Sequence, residues 1–169
     1  MRYFKTIASI SAGIIVLIST GCFHHWSEQE KKDFECKCAQ TDTFGNSIVM
    51  FKGFDNKEFD SILIREYKDT TLLNSFKIFV WPAQSPSDKE QKIRSGTISR
   101  TLKIKYKYTF IVPGQKPYEL SDMKMIMWAQ WTQTSEGYGC VMGDFSLDGV
   151  KFKHEGNLSI LKRDSTVGK

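Results

Sequence analysis

Thr97–Val112 reads TISRTLKIKYKYTFIV and contains the clearest pattern in the chain, an alternation of apolar and polar side chains. The apolar residues occupy one parity: Ile98, Leu102, Ile104, Tyr106, Tyr108, Phe110 and Val112. The polar residues occupy the other: Thr101, Lys103, Lys105, Lys107 and Thr109. Because successive side chains of a β-strand point to opposite faces of a sheet, this pattern predicts a strand with one buried and one solvated face. The stretch is long for a strand, so we expect a bend or bulge within it.

The segments before this stretch also have the composition of strands. Apolar runs lie at Ser47–Phe54, Phe59–Tyr67 and Asn74–Trp81. They are rich in the β-branched and aromatic residues that strands favour, which predicts three further strands. Pro82–Gly96 is polar and contains a second proline, Pro86, so we expect a mobile surface loop there.

Turn residues divide the second half of the chain into short segments. Pro113 and Gly114 predict a turn directly after the alternating stretch. Phe145–Phe152 reads FSLDGVKF, and its Asp-Gly pair predicts a two-residue hairpin. This hairpin would pair Leu147 with Val150 and Phe145 with Phe152, and Asn157–Leu161 offers a last short strand.

Ser121–Thr132 fits two periods. Met123, Ile126, Met127 and Trp131 would form a helical stripe, whereas Met123, Met125, Met127, Ala129 and Trp131 would form one face of a strand. We favour a strand because the neighbouring segments are strands.

Together these segments predict an all-β fold, an antiparallel β-sandwich of about seven strands. Immunoglobulin-like and transthyretin-like arrangements both remain open. We expect a signal peptide over residues 1–21, a tether over 22–35 that can include one helical turn, one β-rich domain over 36–161 and a flexible tail over 162–169.

The N-terminal segment has the three parts of a secretory signal. Arg2 and Lys5 give a positive start, Ile7–Ile18 is largely apolar, and the small residues Thr20 and Gly21 precede Cys22. A membrane-spanning helix needs about 20 mostly apolar residues, and this stretch is shorter and contains serines.

The end of this segment, ISTGC at Ile18–Cys22, resembles the lipobox of bacterial lipoproteins. The resemblance implies that the thiol of Cys22 carries a diacylglycerol, that signal peptidase II cuts before Cys22, and that the new N-terminal amine is acylated, for instance with palmitate. Ser19 stands where leucine is commonest in the family. Phe23 follows the cysteine instead of an acidic residue, so we expect the outer membrane. The resemblance covers residues 1–22 and implies a class of export, not an activity.

The charge of the chain is mildly positive. It has 24 basic and 19 acidic residues, a formal net charge of +5. Without Arg2 and Lys5, 22 basic residues remain against 19 acidic ones, a net charge near +3. A nucleic-acid-binding protein would usually show a strong basic patch, so we expect no nucleic-acid partner. The expected partners are the membrane, through the lipid on Cys22, and an envelope protein or polysaccharide.

Three cysteines remain after Cys22: Cys36, Cys38 and Cys140. An exported protein can form disulfides. We predict one bond from Cys140 to Cys36 or to Cys38, because a bond between the two close neighbours would be strained. A zinc site using these cysteines and His154 lacks the usual ligand spacing, and the pair His24 and His25 lies in the tether. We therefore predict no metal, cofactor or catalytic site.

Two groups of surface residues are candidates for ligand binding. Lys103, Lys105 and Lys107 would project from one face of a strand toward anionic lipid or polysaccharide, or would simply keep that face solvated. The aromatic residues would form either a sugar-stacking platform with Gln130 and Gln133 or part of the core: Trp81, Trp128, Trp131 and Tyr138. The leading hypothesis is a noncatalytic lipid-anchored protein that serves envelope structure or binds a partner, and the alternative is a carbohydrate-binding lipoprotein.

Overall fold

The computed structural model describes residues 25–131, 136–153 and 158–163. Two helices and eleven strands lie in this part of the chain, in the order α1 (Glu28–Gln40), β1 (Thr43–Phe44), β2 (Ser47–Lys52), β3 (Ser61–Lys68), β4 (Thr71–Trp81), α2 (Pro86–Glu90), β5 (Ile93–Ile98), β6 (Leu102–Lys103), β7 (Lys107–Ile111), β8 (Tyr118–Trp131), β9 (Glu136–Leu147), β10 (Val150–Phe152) and β11 (Leu158–Leu161). The predicted all-β class is confirmed.

Nine of these strands form one curled sheet in the order β10-β9-β8-β7-β3-β4-β5-β2-β11, and β1 pairs with β6 in a small second sheet. The pairings within the large sheet are antiparallel except at its end, where β11 runs parallel to β2. The expected architecture, about seven strands all paired antiparallel, is therefore corrected in its strand count and at this edge. β4 belongs to both halves of the sheet, since it pairs with β3 along most of its length and with β5 near Trp81.

The concave side of the curled sheet holds the core. Side chains from both halves meet in one buried cluster, among them Val49 and Phe51 of β2 and Tyr108 and Phe110 of β7. These residues alternate with more exposed ones along their strands, as a sheet with one buried face requires.

Arg94 of β5 is a charged residue inside this core. Its guanidinium lies 4.7 Å from the centre of the Phe59 ring and donates to the carbonyls of Val80, at 3.2 Å, and Asp55, at 3.3 Å. The two terminal nitrogens have acceptors and a ring face lies against the guanidinium, which offsets the cost of burying the charge, whereas Nε has no hydrogen-bond partner among the described residues. Arg94 thereby ties β5 to the end of β4.

The alternating stretch 97–112 is divided among three strands. Its buried parity is confirmed, since Ile98, Leu102, Tyr108, Phe110 and Val112 are all buried. The prediction of one continuous strand is wrong. The chain leaves the large sheet after Ile98 and pairs briefly with β1 as β6. It then turns and re-enters the large sheet as β7. The break is larger than the bend or bulge that length alone predicts.

In the second half of the chain, the predicted hairpin at Phe145–Phe152 and the predicted strand over the described part of Ser121–Thr132 are both present. β9 and β10 pair Leu147 with Val150 and Phe145 with Phe152, and the two turn residues have positive φ angles, 53° at Asp148 and 79° at Gly149. Both central residues of a type I′ turn need this conformation, which glycine adopts without strain. Residues 121–131 belong to strand β8, so the strand interpretation of Ser121–Thr132 holds as far as the structure describes it.

Residues 28–40 form a helix, which corrects the expected tether over 22–35 and the expected start of the β-rich domain at residue 36. The Ser27 side chain accepts from the backbone N–H of Glu30, and the Glu30 carboxylate accepts from the backbone N–H of Ser27. The sequence Ser-Glu-Gln-Glu at residues 27–30 carries the signal of this reciprocal capping box. α1 packs on β8 and β9.

Residues 82–96 contain more structure than a loop. α2 spans Pro86–Glu90, and its N-cap Ser85 forms a second capping box with Asp88. Strand β5 begins at Ile93, so the expected loop is corrected at both of these segments. Within the described residues, neither helix combines the length and apolar character needed to cross a bilayer.

Candidate ligand-binding surfaces

A disulfide joins Cys38 of α1 to Cys140 of β9, with 5.2 Å between their Cα atoms. This confirms the predicted bond from Cys140 and selects Cys38 over Cys36. The reason is helical geometry, because Cys38 lies on the buried face of α1 whereas Cys36 is exposed and its thiol is free. The bond fixes α1 across the long β8–β9 hairpin.

Aromatic contacts hold the start of α1 on the same hairpin. Trp26 lies edge-to-face with Tyr138 of β9, at a centroid distance of 5.1 Å, and with Phe34 of α1, at 5.4 Å. The ammonium of Lys31 lies 5.9 Å from the centre of the Tyr138 ring. A hydrogen bond to Glu28 raises the pKa of Lys31. The residues before α1 are therefore attached to the domain from Trp26 onward.

The opposite face of the hairpin carries the exposed indole of Trp128. Met127 is paired with Cys140, and Trp128 is paired with Gly139, so alternation puts Trp128 on the face away from α1. Its side chain is 44% exposed. The side chain of the neighbouring Gln130 lies over Gly139, in the space that a side chain at position 139 would occupy.

A second aromatic surface lies on the outer face of β4. Phe79 and Trp81 are each 53% exposed and contact each other edge-to-face at 4.9 Å. A shallow groove of about 430 Å³ runs beside them, lined also by Thr97, Ser99 and Arg100. The guanidinium of Arg100 lies 4.5 Å from the ring centre of Phe76 in the same groove. The rings of Phe79 and Trp81, two hydroxyls and the Arg100 cation thus line the same groove.

Sequence reasoning included Trp81 among the aromatic candidates but missed Phe79. A signal was present, because Asn74–Trp81 is apolar on both parities near its end: Phe76, Ile78 and Val80 on one, Phe79 and Trp81 on the other. The first set faces the core, with Ile78 and Val80 buried. The second set then has to lie on the outer face.

The lysine row does not exist as expected. Lys103 ends β6, Lys105 lies in the turn that follows, and Lys107 begins β7 and pairs with Glu119 at 3.3 Å. All three side chains are exposed, but they do not project from one face of one strand. The break in the alternating stretch is the cause.

Several other residues considered as lipidation, ligand or metal sites lie outside the described residues. Cys22, His24, Gln133 and His154 fall outside the described ranges, as does the side chain of Trp131, which ends β8. In the described ranges, no three His, Cys, Asp or Glu side chains are grouped as a metal site would require.

Comparisons of the chain with models of protein families, with curated proteins and with solved structures find no match.

Proposed function

We propose that the chain is a lipoprotein of the bacterial outer membrane, anchored through a lipid on Cys22, whose β-rich domain binds an envelope partner without catalysing a reaction. The Cys38–Cys140 disulfide is the structural observation that carries this proposal. Structural disulfides persist in oxidising compartments, so the bond agrees with the export that the residues before Cys22 imply.

The length of chain between the anchor and the domain supports surface attachment. Glu28, where α1 begins, is six residues after Cys22. A fully extended chain spans at most about 3.3–3.6 Å per residue, so this segment reaches about 20 Å. Two or three acyl chains hold a protein on a bilayer durably, which would keep the domain next to the lipid headgroups.

Substitution of Cys22 tests the anchor. In cells given labelled palmitate, the full chain with Cys22→Ser should take up no label and keep the mass of the precursor, because no thiol is present for the thioether. The matched control is Cys36→Ser, which removes an exposed thiol from α1 and should leave labelling and cleavage unchanged. Label in Cys22→Ser, or a wild-type mature chain that starts at another residue without acyl groups, would contradict the proposal.

Carbohydrate binding is a second candidate function, favoured by the exposed Phe79–Trp81 pair. Aromatic rings stack on the apolar faces of sugars, and the hydroxyls of Thr97 and Ser99 with the guanidinium of Arg100 supply hydrogen bonds beside them. The open, shallow groove suits a chain of sugars better than a small enclosed molecule.

Calorimetry with soluble glycan chains released from bacterial cell wall tests this candidate. Trp81→Ala should weaken binding about tenfold, since one ring contact is worth about 1.4 kcal/mol. Trp128→Ala is the control, because it removes another exposed indole, on the β8–β9 hairpin, and should leave the affinity unchanged. Failure of the wild-type chain to bind, or equal losses in both variants, would remove the carbohydrate candidate.

A further inference from the structure

In the described part of the β8–β9 hairpin, the outer face presents a large apolar side chain to solvent, the indole of Trp128. Its exposed fraction of 44% leaves close to half of the side chain accessible. Its cross-strand partner is Gly139, which has no side chain to cover the indole. An indole combines an apolar ring with an N–H donor, so it is suited to a surface that is apolar at one depth and hydrated at another.

The start of the described chain lies on the opposite face of this hairpin, at the same position along its strands. Trp26 packs on Tyr138, and Tyr138 is paired with Ala129, the residue next to Trp128. The contact therefore fixes where the chain coming from the N-terminus meets the domain.

Cys22 is four residues before Trp26 in the sequence. Four residues span at most about 14 Å, whatever their conformation. The headgroup region on each side of a bilayer is about 5–7 Å thick. A lipid on Cys22 thus holds the part of the β8–β9 hairpin that contacts Trp26 and carries Trp128 close to the membrane surface.

We propose that Trp128 lies in the interfacial layer of the phospholipid bilayer in which Cys22 is anchored, so that the domain touches the membrane through the β8–β9 hairpin and does not hang freely from its tether. This inference rests on the proposed lipidation of Cys22. Tryptophan is enriched at the headgroup level of membranes, where its ring and its N–H are both accommodated.

The charges of α1, which lies beside the anchored N-terminus on the other face of the hairpin, add little electrostatic attraction to the contact. The helix carries four acidic residues, Glu28, Glu30, Asp33 and Glu35, and three basic ones, Lys31, Lys32 and Lys37. Their sum is close to neutral, so anionic lipid offers little attraction. The contact should therefore persist at high salt, which screens attraction between charges but not burial of an indole.

Quenching by brominated lipid tests the inference. The acylated full chain is placed in vesicles of phosphatidylcholine with or without bromine on the acyl chains, and the quenched part of the tryptophan fluorescence is measured. Trp26, Trp128 and Trp131, which ends β8, are the tryptophans nearest the anchored end of the hairpin. If Trp128 lies at the headgroup level, Trp128→Phe should therefore reduce the quenched intensity by about a third to a half, at low and at high salt. The matched control is Trp81→Phe, which removes another exposed indole, three strands away from β8, and should not change the quenched intensity.

The mass of the mature N-terminus is measured on the same samples, which separates the two proposals. Acylated protein in which Trp128→Phe and Trp81→Phe give equal quenching would overturn the membrane contact and leave the anchor in place. Wild-type protein without acyl groups would overturn both. Protection of Trp128 by added glycan chains or by a second copy of the chain, without quenching by lipid, would also overturn the membrane contact.

Discussion

Tyr108 is fully buried, and its hydroxyl joins three segments of the chain. The backbone N–H of Lys103 donates to it at 2.8 Å, and the hydroxyl lies within donating distance of the Glu66 carboxylate, at 3.0 Å, and of the Lys103 carbonyl, at 3.1 Å. Burial raises the pKa of Tyr108 well above its ordinary value. The residue thus links β7, β6 and β3 at the point where the alternating stretch turns.

Tyr108→Phe should lower the free energy of unfolding at neutral pH by about 1–2 kcal/mol, because the Lys103 N–H loses its acceptor. Urea denaturation measures this loss. Far-ultraviolet circular dichroism of the folded variant, unchanged from the wild type, is the control for an intact sheet. A variant as stable as the wild type would show that water replaces the hydroxyl fully.

The same substitution should change the alkaline behaviour. The raised pKa of the folded state means that, above the ordinary value of 10.0, the unfolded chain releases the phenolic proton while the folded chain keeps it. Stability contributed by Tyr108 is therefore complete below that pH and is lost as the pH rises beyond it. Above pH 10, the free energy of unfolding of Tyr108→Phe should therefore fall less steeply with pH than that of the wild type. Some slope should remain, because burial also raises the pKa of Tyr118.

Among the elements, α1 and the β8–β9 hairpin depend on each other. The described face of α1 buries Cys38 and little else that is apolar, so packing alone holds the helix weakly. The bond to Cys140 and the contact between Trp26 and Tyr138 attach it at two places. The cysteines are 102 residues apart in sequence, so the bond constrains most of the unfolded chain.

Cys140→Ser should lower the free energy of unfolding by about 4–5 kcal/mol in the chain-entropy account of disulfides. Cys36→Ser should change it by less than about 0.5 kcal/mol, because Cys36 is exposed and unbonded. Urea denaturation with and without reductant checks both values, since reductant should bring the wild type down to the level of Cys140→Ser. Equal stability of the wild type in both conditions would contradict the argument.

The alternating stretch shows how far an element can be predicted from its own residues. Burial of Tyr108 and Phe110 follows from a period of two, which any strand conformation imposes locally. The pairing of Leu102 with Phe44 does not follow from that period, because it depends on a partner strand nearly sixty residues earlier in the chain. The prediction of a lysine surface on one strand was wrong for the same reason, because the break in the strand separates the three lysines.

At the scale of the whole molecule, contacts between distant parts close the curled sheet. The Tyr118 hydroxyl, at the start of β8, donates to the carbonyl of Leu161, at the end of β11, at 2.9 Å. The guanidinium of Arg163 lies 3.8 Å from the centre of the Tyr118 ring and pairs with Asp148 in the β9–β10 turn. Residues 162 and 163, expected in a flexible tail, therefore belong to the fold.

Closure also explains which aromatic residues are available for binding. Rings on the concave side, such as Phe51 and Phe110, meet those of the other half of the sheet and are buried. Trp81 and Trp128 project from convex faces, where the described chain places no further layer over them. The two proposed contacts, with glycan and with lipid, use these separate faces.

Features set by neighbouring residues were readable from the chain: the all-β class, the Asp148–Gly149 turn, the buried parity around Tyr108 and the resemblance around Cys22. Their physical basis is local, since side-chain alternation, turn conformation and peptidase recognition each involve a few consecutive residues. The choice of Cys38 over Cys36, the parallel pairing of β11 with β2 and the exposure of Trp81 and Trp128 came from the folded molecule. Each depends on which distant segments meet, and that follows from the packing of the whole sheet rather than from any one stretch of it.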